Sequence, residues 1–261
     1  MSQQSFRELG VSAPVVDALA ARSIHSPFPI QELALPDALA GLDVLAKSPT
    51  GSGKTLAFAL PIVERIATTD ARPSALVLVP TRELAAQVTA ELESVATSKG
   101  LSVASAYGGM PLRAQARSVK NAHILVATPG RLEDLAERKL VDLRRIRTFV
   151  LDEADRMLDM GFQPQVDRIV ARLPQNRQTM FFSATLDGHV GELARAYTNS
   201  PARVETAPLP DEPGEIDHRF VAVTADTKVA TLIEHIRASD GLTLVFARTK
   251  RGTDRLVQRL G

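Results

Sequence analysis

The stretch Ser48-Pro49-Thr50-Gly51-Ser52-Gly53-Lys54-Thr55 follows a short apolar run and opens an amphipathic one. Its glycines let successive backbone N–H groups close around phosphate oxygens, and a helix starting here adds the positive end of its dipole. Lys54 can reach the outer phosphates of ATP, and the Thr55 hydroxyl suits a magnesium ion (Mg2+). This is a P-loop with Ser48 in place of the usual first glycine; the bland alternative is a Gly/Ser turn with a solvated lysine. A triphosphate site of this kind needs a carboxylate from another strand. The run Arg147-Thr-Phe-Val-Leu-Asp152-Glu153-Ala-Asp155 supplies one at the end of an apolar segment. Asp152 can hold the metal through its water shell, and Glu153 is offset so that it can orient and deprotonate an attacking water. Taken alone, such acids would more often be the solvated start of a helix.

Two further stretches, Pro80-Thr81-Arg82-Glu-Leu84 and Thr128-Pro129-Gly130-Arg131, sit where an apolar run gives way to a helical pattern. Threonine there can cap the helix, and the arginines with backbone N–H groups can grip phosphate. Spacing alone leaves these two readings equal. Ser183-Ala-Thr185 has no intrinsic signal beyond capping. The five histidines are scattered without ligand spacing and there is no cysteine, so thiolate metal sites and disulfides are excluded. A reducing cytoplasm fits that composition.

These residues need a scaffold that brings distant loops together. Asp43–Ala46, Ala75–Val79, Leu101–Ala106, Ile124–Ala127, Thr148–Leu151 and Thr179–Phe182 read as buried strands. Amphipathic helices are expected between them, over Lys54–Ile66, Arg82–Ser98 and Gln165–Leu173. Alternation of this kind predicts an α/β fold, with a parallel sheet covered by helices on both faces and its chemistry at the carboxyl ends of the strands. Ala207–Gly214, with three prolines and a glycine, reads as part of a linker. Beyond it, strands at His218–Val223 and Thr243–Ala247 and helices at Lys228–Ala238 and Gly252–Leu260 read as the opening of a second α/β unit. The domain boundaries are thus 1–206, a linker at 207–217, and an incomplete unit at 218–261. No apolar run approaches a membrane span.

Asp152-Glu-Ala-Asp155 resembles the name motif of the DEAD-box RNA helicases of superfamily 2, and the other motifs of that family follow in order. Pro80–Leu84, Gly108-Gly109, Thr128–Arg131 and Ser183–Thr185 match, and Phe6 with Pro27-Phe-Pro-Ile-Gln31 resembles the adenine-reading Q motif. The resemblance spans residues 5 to 206, and Leu244–Lys250 resembles the first motif of the family's second domain. It implies a RecA-like first domain that uses ATP and magnesium. Gln31 would read the adenine edge, with Phe6 stacking nearby. Ser23 and Ile24 stand where the family has a glycine and often an aromatic, which leaves the adenine pocket open. Pro80, Thr81, Arg82, Gly108, Gly109, Thr128, Pro129, Gly130 and Arg131 would grip single-stranded or short duplex RNA without reading bases. Ser183 and Thr185 would couple hydrolysis to strand separation through Asp155.

The family's late His-Arg-x-Gly-Arg-x-x-Arg pattern, which holds its arginine fingers, does not occur in these 261 residues. The chain is therefore expected to be a fragment of an ATP-dependent helicase, with weak hydrolysis on its own. An ATP-gated RNA clamp is the alternative reading. Net charge is only +1 and aromatics are 4%, so any hold on nucleic acid should fall on the sugar-phosphate backbone.

Overall fold

The computed structural model describes residues 4–206 and 217–260. The chain divides into two units, Met1–Pro210 and Asp211–Gly261. In the first, the strands are β1 (Val44–Lys47), β2 (Ala75–Leu78), β3 (Val103–Ala106), β4 (Ile124–Ala127), β5 (Thr148–Leu151), β6 (Gln178–Ser183) and β7 (Ala202–Glu205). The helices are α1 (Ala13–Ala20), α2 (Pro29–Ala40), α3 (Lys54–Arg65), α4 (Arg82–Ala96), α5 (Leu112–Asn121), α6 (Pro129–Glu137), α7 (Ala154–Asp159), α8 (Gln163–Val170) and α9 (Gly188–Tyr197).

All the strands pair in parallel, in the order β3-β4-β2-β5-β6-β1-β7. Parallel neighbours need crossovers, so both faces acquire helices and the central strands read as continuous apolar runs. Alternate residues serve opposite cores. Val44, Val77, Val126, Val150 and Phe182 pack with α1 to α4. Leu45, Leu76, Leu125, Phe149 and Phe181 pack with α5 to α9. The expected strands and helices form with ends shifted by a few residues, and the helix expected over Gln165–Leu173 begins earlier, at Gln163. Strand β7 was not foreseen. Its Ala-Arg-Val-Glu sequence alternates, with Val204 buried and Arg203 and Glu205 exposed, as an edge strand allows.

Polar groups at the amino edge of the sheet lock its register. Asp43, 9% exposed, accepts bonds of 2.6 Å from the Thr179 and Asn199 N–H groups. Gln178 donates to the carbonyls of Ala38 at 2.8 Å and Leu42 at 2.9 Å. Together they tie β6 to the entry of β1 and to the turn before β7.

In the second unit, the described residues form α10 (Lys228–Arg237) and α11 (Lys250–Leu260) but neither expected strand. Phe220, Leu244 and Phe246, the apolar residues of those segments, are 97%, 78% and 88% exposed. A parallel strand exists only when a neighbour completes its hydrogen bonds, whereas helices satisfy their own. The linker expected over 207–217 lies almost wholly outside the described residues. Among the described residues, no helix is long and apolar enough to cross a membrane.

Replacing Asp43 by alanine strands the buried Thr179 N–H and the part-buried Asn199 N–H. The expected loss is on the order of 2–3 kcal/mol of unfolding free energy, read from the urea midpoint of the substituted chain. An unchanged midpoint would show that the β1–β6 edge is held by packing alone.

Candidate functional site

The Ser48–Thr55 loop leaves β1 and enters α3. Gly51 and Gly53 both adopt left-handed backbone, at φ 83° and 88°. A side chain at Gly53 is doubly excluded, because a Cβ there would lie 2.6 Å from Phe28 Cδ2 and 2.7 Å from Gln31 Nε2. Lys54 is 7% exposed and its Nζ donates to its own loop, at Ser48 O, over 3.2 Å. Ser48, in the place of the usual glycine, contributes a hydroxyl that donates to Ser52 Oγ at 2.6 Å. The same hydroxyl lies 2.8 Å from the Thr206 hydroxyl. Ser52 in turn donates to Pro49 O at 2.7 Å, while Thr50 at the tip is exposed.

The sheet order then determines what faces this loop. Strand β6 lies beside β1, and β5 lies beside β6. The ladder continues past β1, with the Ser48 N–H donating to Ser183 O at 3.0 Å. Asp152, at the end of β5, is 3% exposed and accepts from the Glu153 N–H at 2.9 Å. Burial pushes its carboxyl up to about 6, opposed by the Lys54 charge and reinforced by Glu153. Glu153 occupies left-handed backbone at φ 52°, a conformation that costs a residue with a Cβ roughly 1–2 kcal/mol. That turn sends Glu153 and Asp152 in different directions. The Glu153 carboxylate pairs with Arg156 at 3.1 Å.

Asp155 and Ser183 meet as expected. The Asp155 N–H donates to Ser183 Oγ at 3.3 Å, and the Ala184 N–H donates to Asp155 Oδ2 at 3.2 Å. Thr185 is exposed, and its N–H donates to Ser183 Oγ at 3.4 Å.

Magnesium takes few protein ligands and keeps several waters, sharing the rest of its shell with phosphates. The donor chemistry of the half-exposed Thr55 hydroxyl and the buried Asp152 carboxyl fits that habit. Among the described residues, no group of three His, Cys, Asp or Glu could hold a metal.

In the Pro27–Gln31 segment, Gln31 is 1% exposed. It accepts from the Phe28 N–H at 3.0 Å and donates to Gly53 O at 2.9 Å, so it staples α2 to the phosphate loop. Phe6 lies inside the core at 2% exposure and offers no ring face to solvent. The exposed ring is that of Phe28, at 57%, against Gly53.

The remaining residues gather on the other half of the same edge, after β2, β3 and β4. The exposed Arg82 lies across Gly108-Gly109, where a Cβ would approach its guanidinium to 2.9 Å at Gly108 and 2.5 Å at Gly109. Thr81 caps α4, accepting from Leu84 N–H at 3.2 Å, next to the buried Pro80. Thr128 precedes α6, with Pro129 in its first turn and Gly130 exposed. Arg131 donates to Met110 O at 3.0 Å and bonds to Gln115, which donates to Tyr107 O at 3.1 Å. The three turns thus meet on one surface. Phe28, Arg156, Gln115 and Thr206 were missed as site residues. Phe28 stands inside the Pro27–Gln31 segment and Arg156 is one turn beyond Glu153, whereas no local pattern marks Gln115 or Thr206.

Sheet, phosphate loop and paired acids define a RecA-like nucleotide-binding domain, and the sequence profile of the DEAD/DEAH box helicases matches residues 28–193. The chain belongs to the DEAD/DEAH box helicase family. It is 41% identical over 257 residues to the DEAD-box ATP-dependent RNA helicase CshA of Streptococcus pneumoniae, covering 98% of this chain and 49% of that protein. It is 39% identical to DEAD-box ATP-dependent RNA helicase 52A of Oryza sativa, covering 96% of this chain and 47% of the relative. A crystal structure of a DEAD box protein from the hyperthermophile Methanococcus jannaschii superposes with a TM-score of 0.75 at 33% identity. That match covers 99% of this chain and 70% of the other. The chain spans about half the length of the curated relatives it matches.

Burial of Asp152 has a sign that can be tested. Its carboxyl pKa rises from 3.8 to about 6 on folding, so between those values the folded chain binds more protons than the unfolded one. This group's contribution to stability is therefore lost as pH rises through that window. Asp152→Asn keeps an oxygen for the Glu153 N–H and cannot ionise. In EDTA, the variant should gain stability over the parent progressively from about pH 4 to 6, reaching on the order of 2–3 kcal/mol above it. A difference that does not change with pH would mean that Asp152 is not desolvated.

Proposed function

We propose that this chain is the ATP-binding part of a DEAD-box ATP-dependent RNA helicase, coupling ATP hydrolysis to RNA binding and local duplex unwinding in the cytoplasm. One observation carries the reading: the two halves of a single sheet edge hold complementary chemistry. Lys54, Thr55, Asp152 and Glu153 follow β1 and β5, while Arg82, Gly108-Gly109 and Arg131 follow β2, β3 and β4.

In this mechanism Lys54 leaves the Ser48 carbonyl for the outer phosphates of ATP, and the N–H groups of residues 51–55 enclose the rest. Thr55 and Asp152 would hold magnesium, which when bound neutralises charge on the phosphate oxygens. Glu153 turns from Arg156 and takes the proton of the attacking water. Asp155, bonded to Ser183 and the Ala184 amide, links that event to the end of β6. The Arg82 and Arg131 turns take phosphates of single-stranded or short duplex RNA, which explains a grip without base readout. At the base, Gln31 has an N–H and a lone pair left for the adenine edge, and Phe28, rather than Phe6, supplies the stacking face.

Steady-state ATP hydrolysis with and without single-stranded RNA tests the reading. The chain extended by the second domain that the family resemblance implies should be stimulated by RNA, and Glu153→Gln should abolish turnover. The 261-residue chain alone should be slower by more than about tenfold, since it holds no finger pattern and such an arginine is worth ~10³–10⁵. Equal rates would overturn the arginine argument. Full turnover in Glu153→Gln would overturn the base assignment.

For Phe28, base stacking is worth roughly 1–3 kcal/mol. Phe28→Ala should weaken ATP binding by at least about fivefold in an equilibrium titration. An unchanged dissociation constant would remove Phe28 from the adenine site.

A further inference from the structure

Away from both halves of that edge lies a groove of about 580 Å³, lined by Arg72, Arg113, Arg117, Lys120, Lys139 and Arg145. Asp142 is the one acid in its lining, and it is already paired with Arg144 at 2.9 Å and Arg145 at 3.6 Å. Among the described residues, Arg113, Arg117, Lys120 and Lys139 take part in no ion pair. The whole chain carries a net charge of only +1, so a groove with six cations and one acid leaves the remainder net acidic. Like charges gathered this way repel one another in the free protein, and a bound polyanion relieves that cost.

The position of the groove says which polyanion. Helix α5 starts at Leu112, just beyond Gly108-Gly109 and Met110, and Gln115 on α5 is bonded to Arg131. The helix then runs back from the carboxyl edge of the sheet to the amino edge, where β4 begins. Arg113, Arg117 and Lys120 have the i, i+4, i+7 spacing of one helix face. They cover about 10 Å along the helix, enough to follow neighbouring phosphates of an extended strand. Arg72, before β2, and Arg145, before β5, continue the line at the amino edge.

We propose that this groove is a second RNA-binding site, which takes the sugar-phosphate backbone of a strand leaving the Arg82–Gly108–Arg131 grip and leads it along α5. The proposal rests on the RNA reading above. It makes the site length-dependent: a short RNA fills the grip alone, and only a longer one reaches the groove.

The test compares single-stranded RNAs of one sequence, about 6 and about 20 nucleotides long, by fluorescence anisotropy across a salt series. The chain is compared with its Arg113→Glu/Arg117→Glu/Lys120→Glu and Arg82→Ala variants. The triple variant should bind the long RNA at least about tenfold more weakly, with a salt slope shallower by about two, and the short RNA unchanged. Its melting temperature should be equal or higher, because the repulsion is gone. Arg82→Ala should weaken both lengths. Equal losses on both lengths would overturn the site in favour of general attraction, and no loss on either would leave the groove simply solvated. Poly-glutamate displacing the long RNA as well as an RNA competitor of equal charge would overturn the commitment to RNA in favour of an acidic protein partner. Binding of neither length by the parent chain would fell the RNA reading itself, and the groove with it.

Discussion

The adjacency of β1, β6 and β5 is the constraint on which the rest depends. In a sheet buried on both faces, a one-residue slip exchanges one apolar face for another, so hydrophobic alternation specifies the register only weakly. Here polar groups at the two edges do that work. Asp43 and Gln178 fix β6 against the entry of β1, and the Ser48–Ser183 bond fixes its exit. With those pinned, the phosphate loop, the Asp152 turn and the Ser183 turn fall into one row.

That row is held in a state of deliberate discomfort. Asp152 is buried with its carboxyl pushed up, Glu153 sits in left-handed backbone, and Lys54 spends its charge on a carbonyl of its own loop. The buried carboxyl and the left-handed backbone each cost folding free energy. The Ser48 hydroxyl shows how a departure from the usual loop is absorbed: it links the loop to Thr206 at the end of β7. Gly53 is the joint where α2 meets the Ser48–Thr55 loop, since both Phe28 and Gln31 press on it.

The layered architecture and its Gly-rich and acidic turns were legible in the amino-acid sequence because each has a local physical signature. Apolar strand runs, Gly-rich turns and acids after a strand are encoded within about ten residues. What failed was whatever depends on partners far along the chain. Strand β7 is an edge with only Val204 and Ala202 turned inward, too little apolar signal to detect. Phe6 and Phe28 are both aromatic residues near the same motif, and only packing decides that Phe6 is core and Phe28 surface. The segments at His218–Val223 and Thr243–Ala247 have strand composition, yet their side chains stand exposed and no ladder forms among the described residues. Helices α10 and α11 in the same unit do form, because a helix closes its own hydrogen bonds.

The basic groove was invisible for a related reason. Its cations come from the segment before β2, from α5, from the turn after α6 and from the approach to β5, so no ten-residue window of sequence contains more than half of them. A net charge of +1 argues against a nucleic-acid binder only if charge is spread evenly. In this fold it is not, because the parallel topology brings the β1–β2, β3–β4 and β4–β5 crossovers back to the same amino edge of the sheet. Field strength at a surface depends on that gathering, and neutrality of the whole sharpens the contrast between the groove and everything around it.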